Sequence, residues 1–148
     1  MNPTVSDVLA ELSGLMMRNA APDVAPADRA SALGMSSMLL AIAAQEWDRA
    51  AARLVEENRA VRALLAEAPA ALGEGELAER LWALSAGQDE DFRVSALQAS
   101  NSALRAALIE LQVAVEAAEG EIAERLEAAV WAELVASTER RRLEGAPV

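Results

Sequence analysis

The chain contains no cysteine, no histidine and no tyrosine, and each of its 13 basic residues is an arginine. Without cysteine there is no disulfide framework and no thiolate chemistry. Without histidine it lacks the side chain that titrates near neutral pH and most often ligates metals. Without lysine there is no Schiff-base amine. Catalysis would have to run on carboxylates, hydroxyls and guanidinium groups alone. The expectation is therefore a protein that is not an enzyme and holds no metal and no cofactor.

Other absences bound the fold and the address. Aromatics are 3% of the chain and β-branched residues are few, which argues against sheets. No uninterrupted apolar run approaches the ~20 residues that span a bilayer. Met1–Asn19 has no basic start and carries Asp7 and Glu11, so it does not read as a signal peptide. A cytoplasmic location and no membrane partner are the expectations.

What is present is helical. Alanine makes up about a quarter of the 148 residues and is the best helix former, so helices can approach closely while each Leu carries more of the burial. The formal charge is −11, which repels the phosphates of nucleic acids and anionic lipids. A protein partner or a second copy of the chain is the remaining expectation.

Thr4 and Asp7 have nearly the spacing of a capping box, and Val5, Val8, Leu9, Leu12, Leu15 and Met16 follow at helical spacing. A first helix over about 5–18 follows, then a loop at 20–28 around Pro22 and Pro26. The pattern is next helical from about Ala27 to Ala68, roughly 60 Å at 1.5 Å per residue, with Gly34 and Ser36–Ser37 as a place to bend. Pro69 and Gly73 end it, and a short helix runs from Glu74–Glu76 to about Ala86. Asp89–Asp91 open a second long helix to about Ala118, and Glu121–Leu143 forms the last. Arg140–Arg142 complement that helix's C-terminal dipole, and Gly145–Val148 is a tail. The fold class is all-α: one domain over 1–148, an antiparallel bundle of four to five helices.

The two long helices look internally duplicated. At an offset of 43, residues 88–110 match residues 45–67 at nine positions, among them Gln45/Gln88, Asp48/Asp91, Leu54/Leu97, Asn58/Asn101 and Arg62/Arg105. Shared helical periodicity in an Ala-rich chain is the competing explanation. Leu40, Ala44, Trp47, Ala51, Leu54, Asn58, Val61 and Leu65 form one stripe in three- and four-residue steps; Val94, Leu97, Asn101, Leu104, Leu108, Leu111 and Val115 form another. Both asparagines thus fall within an apolar seam, and Arg62 and Arg105 stand four residues on at its edge.

A buried amide without a partner costs about 1–3 kcal/mol. One expectation is that Asn58 and Asn101 hydrogen-bond across the bundle and fix its register, with the arginines on carboxylates such as Glu57 or Glu110. The alternative is a pseudo-twofold pocket in which Asn58, Arg62, Asn101 and Arg105 bind a small anionic or amide-bearing ligand. Trp47, Trp82 and Trp131 read as core residues. Glu116, Glu119, Glu121 and Glu124 form an acidic corner that lacks the Glu-x-x-His of di-iron sites.

The stretches 54–65 (LVEENRAVRALL), 94–105 (VSALQASNSALR) and 131–141 (WAELVASTERR), with the Asn2-Pro3-Thr4 start, carry a resemblance. The chain resembles a family of small bacterial all-helical proteins without an established activity. Their genes tend to lie near those for acyl-CoA dehydrogenases and aminoglycoside-phosphotransferase-like kinases. The resemblance implies a helical accessory role, linked to acyl-CoA metabolism. The functional expectation is a non-enzymatic interaction protein that self-associates through its long helices. The alternatives are the ligand-binding module above and an export-chaperone-like protein with an exposed apolar groove.

Overall fold

A computed structural model of the chain describes residues 5–20 and 27–143. The expected Thr4 cap, Pro22 and Pro26 and the 145–148 tail lie outside them. Among the described residues there is no strand. The helices are α1 (Val5–Leu15), continued by a π-turn at Met16–Ala20, then α2 (Ala27–Ala66), α3 (Ala68–Leu72), α4 (Glu76–Ser85), α5 (Val94–Ala117) and α6 (Glu121–Arg140). The protein is all-α, and none of these helices is long and apolar enough to cross a membrane.

The chain falls into two compact units, Met1–Ala50 with Leu143–Val148, and Ala51–Arg142. In the first, α1 lies antiparallel to the early part of α2 through small residues. Ser6 Oγ donates to the Ala44 carbonyl at 2.9 Å. One turn-pair further on, Ser13 Oγ donates to the Ser37 carbonyl at 2.9 Å and Ser37 Oγ donates back to the Ser13 carbonyl at 2.8 Å. These bonds satisfy hydroxyls that would otherwise be buried unpaired, Ser37 being fully enclosed.

The second unit holds the apolar core. Val61 and Leu65 of α2, Ala68 of α3, Leu81 of α4, Leu104, Leu108, Leu111 and Val115 of α5, and Leu126 and Val130 of α6 pack as one cluster. Each fully buried Leu or Val contributes about 1.5–3 kcal/mol, and Ala68 and Ala107 let the helix axes approach closely. Glycines set two of the turns. Gly73 (φ 74°) closes α3 and Gly120 (φ 116°) precedes α6, both in the left-handed region that side chains disfavour. Glu76 and Glu79 open α4, and Glu121 and Glu124 open α6, where carboxylates meet the positive helix end.

Three expectations are corrected here. Pro69 does not simply end a helix; it sits in the first turn of α3, where its missing N–H costs nothing. Asp89–Asp91 do not open α5, which begins at Val94, so Asp89 is free to fold elsewhere. The three tryptophans are not core: Trp47, Trp82 and Trp131 are 65, 57 and 51% exposed. Trp82 and Trp131 each stand one residue, or ~100° of helix, past the buried Leu81 and Val130. Trp47 keeps the phase of the Leu54–Leu65 stripe and of Ala44, but the hydrogen bonds of α1 to α2 among the described residues run from Ser37 to Ala44 and stop short of it.

Candidate functional site

The seam asparagines are fully buried and meet directly, with Asn101 Nδ2 donating to Asn58 Oδ1 at 3.0 Å. Each also donates to a carboxylate. Asn58 Nδ2 reaches both Asp89 oxygens at 3.2 Å, and Asn101 Nδ2 reaches Glu57 Oε2 at 3.3 Å.

Around each carboxylate the same residue types recur. Asp89 takes a fork from Arg62, Nη1 to Oδ2 and Nη2 to Oδ1, both 2.9 Å. Arg62 Nη2 also donates to Ser100 Oγ, which donates onward to Asp89 Oδ1, each at 3.0 Å. On the other side, Arg105 Nη1 donates to Ser137 Oγ and Ser137 Oγ to Glu57 Oε1, both 3.2 Å. Arg141 completes that half, with Nε on Glu57 Oε1 at 3.0 Å and Nη2 on Oε2. The residue before each asparagine serves the other's half: Glu57 stands with Asn101, and Ser100 with Asn58.

All four predicted residues therefore belong to one continuous hydrogen-bonded network. The expected cross-bundle amide pair is present, and Arg62 has the expected kind of partner, a carboxylate, though neither of the two named; Arg105 does not. Arg62 pairs with Asp89, Arg105 bonds Ser137, Glu57 is held by Arg141, and Glu110 pairs with Arg80 on the surface. The amides close on each other, so no ligand space lies between them.

The electrostatics follow from these contacts. The Arg62 guanidinium, with help from Asn58 and Ser100, holds the Asp89 carboxyl down at about 2 against the opposing effect of burial. That carboxylate stays ionised and fully bonded at neutral pH, which suits a strut and not an acid or base. Glu133, in contrast, is pushed up by burial, against the attraction of Arg140. Among the described residues, Asn101 Oδ1 and Arg62 Nε find no hydrogen-bond partner.

Sequence reasoning missed Asp89, Ser100, Ser137 and Arg141. Asp89 matched Glu46 in the offset alignment, a faint signal that an acid was needed there. Arg141, read as a dipole complement, instead neutralises a buried carboxylate, while Arg140 pairs with Glu133 and Arg142 with Glu139.

A groove of about 400 Å³ opens beside the Arg62–Asp89 pair, lined also by Val55, Arg59, Ser85, Gly87, Gln88 and Phe92. Of the four predicted residues only Arg62 touches it. Among the described residues no cluster of acids could hold a metal ion.

In the first unit the outstanding feature is α1 itself, none of whose residues is buried. Val5, Val8, Leu12 and Leu15 stand 41–45% exposed on one side of it. No protein family, no curated protein and no solved structure matches the chain.

Proposed function

We propose that the protein is a non-enzymatic helical interaction protein that self-associates, with α1 pairing against α1 of a second copy. One observation carries this reading: α1 has two seams and spends the polar one on its own chain. Ser6 and Ser13 bond to α2, while Val5, Val8, Leu12 and Leu15 each keep 41–45% of their surface exposed. Those four positions step by three, four and three residues, the spacing of a coiled-coil seam.

The spacing is also a palindrome about residue 10. In an antiparallel pair Val8 meets the second copy's Leu12 and Val5 meets its Leu15, so the surface is complementary to itself under a twofold axis. That is the requirement for a closed dimer. The half of each side chain still exposed is worth ~1 kcal/mol, about 8 kcal/mol over two copies. Association costs ~4–15 kcal/mol, so the pairing is reversible and follows concentration.

Light scattering over a wide concentration range tests the proposal. The mass rises toward two chains for the native protein and stays at one for Val8→Glu/Leu12→Glu. A native protein that keeps a single-chain mass throughout contradicts it. The wider role, accessory to acyl-CoA metabolism, is supported only by the resemblance of residues 54–65, 94–105 and 131–141.

A further inference from the structure

The groove beside Asp89 has features that the buried network behind it does not need. Its floor is rigid and electrically balanced, because Arg62 is locked onto Asp89 and Ser100 by three bonds. Arg59, three residues earlier on α2, lines the same groove. Most described arginines pair with a carboxylate, and acids outnumber arginines 24 to 13. Arg59 nevertheless makes no ion pair and no hydrogen bond among the described residues, and it stands exposed. The groove thus presents one unspent positive charge in a strongly negative protein, and neither Glu56 nor Glu90 lines it.

The remaining lining has its own pattern. Phe92, the chain's one phenylalanine, is 63% exposed on the segment between α4 and α5. Val55 adds apolar surface, and Gln88 an amide. Gly87 adds no side chain to the floor, and the N–H of Arg62 Nε beneath it has no acceptor among the described residues. A volume near 400 Å³ is in the range of small-ligand pockets, ~300–1,000 Å³.

We infer that this groove binds a small organic anion, its carboxylate or phosphate on Arg59 and its flat apolar body against Phe92 and Val55. A guanidinium fork suits both oxyanions, and an aromatic face suits a planar body. The site shares no residue with the α1 seam, and the inference does not rest on self-association.

Amide chemical shifts of the full chain, titrated with benzoate, phenyl phosphate and benzylamine, test the inference. Saturable shifts confined to residues 55–62 and 85–92, with dissociation constants of order 1–10 mM for one or both anions, support it. The tighter anion distinguishes carboxylate from phosphate. Arg59→Gln and Phe92→Ala each weaken binding about fivefold or more, while Arg125→Gln, at another exposed arginine, leaves it unchanged. Absence of saturable shifts, equal binding of benzylamine, or an equal loss in Arg125→Gln overturns it. The benzylamine comparison needs only native protein, so it decides the matter even where a variant misfolds.

Discussion

Asn101 donates its amide to Asn58 Oδ1 at 3.0 Å in the core of the second unit, and each amide then turns to a different carboxylate, Asn101 to the enclosed Glu57 and Asn58 to Asp89 at the groove. The pair joins two charged clusters that would otherwise be separate. Removing one amide leaves the other short of a partner and takes one donor from a carboxylate. Asn58→Ala and Asn101→Ala are each expected to cost about 1–3 kcal/mol, measured by urea unfolding. The double substitution should cost less than the sum, because the second change removes a group already left unpaired. Strict additivity would show that the amides act independently.

Asp89 ties the loop before α5 to α2, and its pKa sets a pH window. Its ordinary value is 3.8, and in the fold it is about 2. A depressed folded pKa gives stability that is complete above about pH 4 and is lost as pH falls toward 2. The effect is on the order of 2 kcal/mol, since one unit corresponds to ~1.4 kcal/mol. Denaturation of native protein and Asp89→Asn at pH 5, 4, 3 and 2 checks it. The variant starts less stable and falls less steeply over this range; parallel curves would exclude Asp89 as the source.

Glu57 is wholly enclosed, and its ionic partner comes from the far end of α6. Breaking a buried pair from one side costs ~3–5 kcal/mol. Because the Arg141 side chain is 41% exposed, water replaces part of what is lost and the expectation falls to about 1–2 kcal/mol for Arg141→Ala. Glu57→Gln in that background should restore part of it, because the stranded charge is gone. A further loss in the double variant would mean that Glu57 is stabilised by its other donors alone.

The tryptophans offer a spectroscopic check on the packing. With all three more than half exposed, native emission should lie close to that of solvated indole and shift little in urea. A large red shift on unfolding would place at least one of them in the core.

What was legible in the sequence was the periodic part. The seam positions of Asn58 and Asn101 followed from three- and four-residue steps, and those steps gave the amide pair its expected contact. Phase alone does not show which stretch of a 40-residue helix is covered, and Trp47, in phase with the seam, is exposed. An acid before an apolar run looks like a helix opener, and Asp89 has that position without that role. The α5 start at Val94 has no side-chain cap, and the acid is used for a long-range contact instead. Arg141 and Ser137 could not be found this way, since their partner Glu57 is 80 or more residues distant.

The central claim is the antiparallel pairing of α1, and the cysteine-free chain allows it to be tested by placing thiols. Val8→Cys and Leu12→Cys proteins are oxidised mildly, each alone and then mixed. Antiparallel pairing brings position 8 against position 12 of the second copy, so the mixture forms the disulfide-linked dimer while each variant alone forms little. Cross-linking of each variant with itself, no better in the mixture, would indicate a parallel pair. No cross-link in any combination would mean that the Val5–Leu15 seam is not where two copies meet.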